Sequence, residues 1–198
     1  MMHSDDDLDR RLVDALERLS GGVRALAQRS ARDHGLTPLQ QQVLLALSKN
    51  PPSRREVSAL AAECDVTRPT MSDAVTALER KGLLGRSPGG DGRRRVLTPT
   101  PRGCEVVDDL REWDAPAVRT LLGVPVEDRA ATLQTVLSMI AGLQRQGVIS
   151  VARVCTSCRF FEAHAHSDRV APHHCRLLNA PLPLTELRTD CPEHQPAA

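Results

Sequence analysis

The stretch from Val66 to Gly103, VTRPTMSDAVTALERKGLLGRSPGGDGRRRVLTPTPRG, leaves few folds open, because it spells a capped amphipathic helix, a helix stop and a short hairpin in direct succession. Thr67 is placed to cap the helix, and Pro69 falls in the first turn, where a missing N–H is tolerated. Met71, Ala74, Val75 and Leu78 recur at helical spacing. Gly82 stops the helix just after the last turn Glu79-Arg80-Lys81. Leu83 to Ser87 and Arg95 to Thr98 then read as two short strands around PGGDGRR, a loop dense in turn formers.

Between Leu83 and Gly103 stand five arginines and one aspartate, which makes the hairpin the most positive part of the chain. A helix presenting Arg68, Thr70, Ser72 and Asp73 beside such a hairpin suits a DNA duplex, with the helix in the major groove and the wing along phosphates or in the minor groove. The competing reading is a surface helix followed by a solvated charge run.

The preceding elements favour the duplex. Thr37-Pro38 opens a helix carrying Leu39, Val43, Leu44 and Leu47, which stops near Asn50-Pro51-Pro52. Ser53 is placed to cap a third helix with Val57, Leu60 and Ala61 as its buried side and Glu56 in the capping-box position. Cys64-Asp65-Val66 turns the chain into the next helix. Helix, turn, helix and wing is the order a winged helix-turn-helix requires.

This region resembles the winged helix-turn-helix of the MarR family of bacterial transcription regulators. The likeness lies in Leu78-Glu79-Arg80-Lys81-Gly82-Leu83-Leu84, then Asp91-Gly92-Arg93-Arg94-Arg95, then Leu97-Thr98 with Gly103 closing. The resemblance implies that Asp91 and Arg93 brace the wing and reach DNA, and that the first and last helices form a dimer interface. It spans roughly residues 8 to 147. At one position the chain departs from many members, which carry a basic residue where Asp73 stands.

A helical apolar pattern also runs from about Leu8 to Asp33, interrupted by Gly21-Gly22, where a bend is expected. Two more helical stretches follow the hairpin: Cys104 to about Leu122, with a kink expected at Pro116, and Pro125 to about Gln146. The formal net charge of +1 means that affinity for nucleic acid must come from local patches. No apolar run suffices for a membrane span and the N-terminus MMHSDDDLDR is acidic, so a cytoplasmic protein is expected.

Beyond Gly147 the helical period ends, and four of the six cysteines and five of the seven histidines gather. Cys155 and Cys158 form a C-x2-C pair, with Cys175 and Cys191 on later loops. In a reducing compartment such thiols read as metal ligands, redox sensors or small buried residues rather than disulfides. A segment so short and proline-rich is expected to need a staple to become ordered.

Widely spaced single thiols and Cys191-Pro192 favour an iron-sulfur cluster. Zinc is the alternative, and His164, His166, His173, His174 and His194 are potential replacement ligands. A disordered tail with incidental cysteines is the competing reading. Cys64 and Cys104 read as small buried residues.

The fold expected is mainly α with a small β-hairpin wing: a winged helix-turn-helix with dimerisation helices and a loop-rich C-terminal metal-binding tail. The segments are 1–36 (N-terminal dimerisation helix), 37–103 (DNA-binding domain), 104–149 (C-terminal dimerisation helices) and 150–198 (cysteine-rich extension). The expected function is a homodimeric regulator on a double-stranded, pseudo-palindromic operator. Arg68, Thr70 and Ser72 would lie at base edges, and Arg86, Asp91, Arg93, Arg94 and Arg95 in the wing contacts. A cluster on Cys155, Cys158, Cys175 and Cys191 would modulate operator affinity. Two alternatives stand beside it. One is a repressor answering a small-molecule effector with structural zinc in the tail; the other is a redox or electron-transfer protein. The chain shows no nucleotide-binding glycine motif, nucleophile elbow or HExxH, so no enzyme is expected.

Overall fold

The computed structural model describes residues 2–88 and 95–197. The chain forms two compact units, Met1–Thr120 and Leu121–Ala198.

The first unit begins with α1 (Met2–Asp33), which runs unbroken through Gly21-Gly22 where an interruption was expected. Next is α2 (Pro38–Lys49), capped by Thr37, whose side chain accepts from the Gln40 N–H while Gln40 reaches back to the Thr37 N–H. A 3-10 turn (Pro52–Arg54) precedes α3 (Val57–Glu63) and takes up Ser53, so that Glu56 occupies the N-cap position with no side-chain cap bond. Proline at 51 and 52 explains this departure. The carbonyls of both accept the turn's bonds from Arg54 and Arg55, which draws Ser53 into the turn.

The helix α4 (Arg68–Arg80) leads to β1 (Leu84–Pro88) and β2 (Arg95–Pro99), which pair antiparallel from Leu84 opposite Pro99 to Pro88 opposite Arg95. The single helix expected from Cys104 to Leu122 is two, α5 (Pro101–Leu110) and α6 (Ala115–Thr120). Pro116 falls in the first turn of α6, where a proline fits, instead of kinking a longer helix.

Leu44, Leu47, Leu60, Met71, Val75, Leu78, Leu97 and Leu110 form the fully buried centre of this unit. Each helix from α2 to α5 contributes one stripe to it, as the helical spacing demands.

The second unit joins α7 (Val126–Arg145) to the cysteine-bearing segment. That segment forms an antiparallel sheet of β3 (Phe161–Glu162), β4 (His173–Cys175) and β5 (Ala180–Leu182) in that order. Its core is made by Leu137 and Ala141 of α7 with Ala152, Val154, Leu182 and Leu187. Thr156 Oγ1 donates to the Leu137 carbonyl at 2.8 Å, fixing the segment to the helix. This corrects the expectation of a tail that only a metal could order. The segment does not stand alone, because the face of α7 supplies the apolar partner it lacks.

Candidate nucleic-acid interface

The candidate surface is built by α3, α4 and the two-stranded wing. Asp65 takes a left-handed conformation (φ 48°) in the turn between the helices. Thr67 then caps α4, its hydroxyl oxygen accepting from the Thr70 N–H, an interaction worth about 1 kcal/mol. One side of α4 buries Met71, Ala74, Val75 and Leu78, so the opposite side, with Arg68, Thr70, Asp73, Thr76 and Arg80, is exposed.

Thr70 Oγ1 lies 2.8 Å from Thr67 Oγ1, so the cap and an expected base-contacting hydroxyl are one hydrogen-bonded pair. Ser72 is only half-buried, on the flank of the exposed face, and its carbonyl accepts from the Thr76 hydroxyl. Among the described residues Arg68 has no hydrogen-bond or ion-pair partner, and its guanidinium is available to a ligand.

At the far end, Gly82 (φ 69°) stops the helix and the chain reverses into β1. Arg86 on β1 grips Glu79 on α4 with two bonds, Nε to Oε1 at 2.7 Å and Nη2 to Oε2 at 3.1 Å. This fork fixes the angle between helix and wing, and it engages an arginine expected to contact DNA. Arg95 is exposed at the mouth of the hairpin, opposite Pro88. Asp91, Arg93 and Arg94 lie outside the described residues.

Two residues after the hairpin support the wing, and the role of the first was missed from the sequence. Thr100 Oγ1 donates to the Gly82 carbonyl at 2.7 Å and accepts from the Gly103 N–H at 3.0 Å, joining the helix stop to the start of α5. The run Thr98-Pro99-Thr100-Pro101 carries the same threonine-proline signal as Thr37-Pro38 and could have revealed it. Gly103 is the second: a Cβ there would fall 2.1 Å from the Leu83 carbonyl oxygen, so no other residue fits without backbone movement. The Leu97 N–H also donates to the Arg55 carbonyl at 2.9 Å, backing the wing from the segment before α3.

The MarR family's sequence profile matches residues 34–95. A crystallised MarR family transcription regulator superposes with a TM-score of 0.64 at 23% identity, covering 75% of this chain and 97% of its own. The fold is that of the MarR-family regulators. Another transcriptional regulator of known structure gives a TM-score of 0.60 at 25% identity over 68% of this chain and 98% of its own. MepR of Staphylococcus aureus, in a structure of its DNA complex, gives 0.57 at 21% identity over 66% and 94%. No curated protein matches the chain in sequence. MarR-family regulators are DNA-binding, non-catalytic proteins.

The family profile ends at residue 95, before the C-terminal unit begins, and in that unit the structure corrects the expectations from the sequence. Cys155, Cys158, Cys175 and Cys191 are half-buried and line one apolar pocket with Phe160, Phe161, Leu177 and Leu182. Yet among the described residues no three His, Cys, Asp or Glu side chains are placed to hold a metal ion. Several of these side chains have protein partners. Cys155 Sγ accepts the Arg188 N–H at 3.2 Å, and burial pushes the Cys155 thiol up from its ordinary value. His166 Nε2 and His174 Nδ1 face each other at 3.1 Å, His173 Nδ1 accepts the His164 N–H, and His194 Nε2 lies 2.9 Å from Ser157 Oγ.

The expected iron-sulfur cluster, the zinc alternative and the redox or electron-transfer reading that depended on them are therefore withdrawn, and with them the idea that a cluster tunes operator affinity. Of the remaining cysteines, Cys64 packs against the first core, and burial beside Glu63 and Asp65 pushes its thiol up to about 11. It stays protonated and inert at neutral pH. Cys104 is exposed, against expectation.

Proposed function

We propose that the protein is a homodimeric MarR-type transcription regulator that binds double-stranded DNA through α4 and the wing. The observation that carries this reading is the capped, outward face of α4, held to a basic hairpin by the Glu79–Arg86 fork within a winged helix. Arg68 and Thr70, flanked by Ser72, meet base edges, while Arg93, Arg94 and Arg95, with Asp91 as brace, run along phosphates or the minor groove. MepR, which shares the fold, is seen bound to DNA.

Dimerisation is supported by apolar residues that the single chain leaves uncovered on α1, among them Leu8, Leu12, Val13 and Leu19. In this reading residues 1–36 and 104–149 supply the dimer contacts, and two-fold symmetry sets half-sites about one helical turn apart. No helix among the described residues is long and apolar enough to cross a membrane, and the protein acts in the cytoplasm, where its operator is.

Fluorescence anisotropy on a selected operator, repeated over a range of salt concentrations, tests this. Arg93→Ala is expected to weaken binding and lower the salt slope by about 1 per half-site. An unchanged affinity and slope would remove the wing from the interface.

A further inference from the structure

The exposed face of α4 carries one feature that a surface meeting phosphates would be expected to avoid. Asp73 is exposed at the middle of that face, three residues from Thr70 and three from Thr76. The only other acid in the helix, Glu79, is neutralised by Arg86. Asp73 has no hydrogen-bond or ion-pair partner among the described residues, so its carboxylate stands free. A free carboxylate near the duplex meets repulsion from phosphates, and only a specific donor in the groove can offset that.

We propose that Asp73 determines operator specificity by accepting a hydrogen bond from the exocyclic amine of a cytosine in each half-site. The inference rests on the DNA-binding reading above. An ionised carboxylate only accepts, and the major groove offers donors at cytosine N4 and adenine N6 alone. Adenine sets the acceptor N7 beside N6, which repels the second carboxylate oxygen; cytosine presents no acceptor on that edge. Guanine O6 and N7 and thymine O4 are acceptors and are rejected outright. Asp73 therefore gives specificity by attraction to one base and repulsion of three. Arg68, five residues earlier and cationic, supplies the opposite preference at a neighbouring pair.

The test is enrichment of random duplexes by the full-length protein and by Asp73→Asn and Asp73→Ala, followed by anisotropy on the enriched sequences. Because Asp73 is exposed, both variants are expected to unfold at the wild-type midpoint. Wild type is expected to enrich a cytosine at one position of each half-site, and changing that base should weaken binding about 5- to 100-fold. Asp73→Ala should erase the preference at that position alone while raising affinity for unrelated DNA, and Asp73→Asn should move it toward adenine. If wild type and both variants enrich the same bases at every position, Asp73 does not read DNA although the protein does. If wild type enriches no sequence at all, the DNA-binding reading itself fails.

Discussion

The two units solve the same problem with different material. The first buries helix stripes against one another, and each stripe repeats every three to four residues along the chain. The second sets one helix face, with Leu137 and Ala141, against loops and two- or three-residue strands that have no period at all. Order in the second unit is thus borrowed from α7, whereas the first unit is ordered by mutual packing of its helices. The difference teaches that a cysteine-rich segment need not be ordered by a ligand when a neighbouring helix offers a face to cover.

Truncation of each core is the strongest way to break this comparison. Leu44→Ala and Leu137→Ala should each cost about 2–5 kcal/mol, but in different units. Limited proteolysis should show residues 150–197 becoming sensitive in Leu137→Ala while residues 34–88 stay protected, and the reverse in Leu44→Ala. Uniform loss of protection in both variants would show that the units do not unfold separately. A smaller loss, about 1–3 kcal/mol in denaturant unfolding, is expected for Gly103→Ala, since the added methyl meets the Leu83 carbonyl and the backbone must shift.

Acid should separate the units more gently. Burial, with His164 nearby, holds His173 below the ordinary histidine value, and burial does the same to His194. Between the folded and unfolded values the unfolded chain binds more protons. The second unit should therefore keep its full stability above about pH 6.5 and lose it as pH falls below, by at most about 1.4 kcal/mol per pH unit for each histidine. Urea unfolding followed at pH 7 and pH 5 checks this, and His173→Gln should flatten the dependence. An equally steep slope in the variant would assign the effect elsewhere.

The smallest effect concerns the wing. Arg86 and Glu79 are partly exposed, so breaking their fork should cost only about 0.5–1 kcal/mol of stability. If Arg86 is a brace, Arg86→Ala and Glu79→Ala should weaken operator binding by similar few-fold factors. The salt slope should stay unchanged in Arg86→Ala. A lower slope in Arg86→Ala alone would make it a phosphate contact.

What was legible in the sequence follows the same division. Thr67, Pro69, Met71 to Leu78 and Gly82 are local signals acting within one or two turns, and α4 formed as they require. Thr37 capped α2 for the same reason. The Glu79–Arg86 fork links positions seven residues apart through a chain reversal, and no periodicity points to it. Ser53 misled because a cap depends on where the preceding prolines put the turn, not on residue type alone. The cysteine segment misled more deeply: its spacing was read as though it stood alone, while Leu137 and Ala141, the residues that order it, lie on a helix read as belonging to the dimer interface.

The most direct measurement is a footprint of the full-length protein on duplexes enriched from a random pool, with the number of chains per duplex determined by sedimentation. The account predicts a protected sequence with two-fold symmetry, half-sites about one helical turn apart, and two chains bound. Binding without sequence preference at physiological salt, or one chain on an asymmetric site, would contradict it.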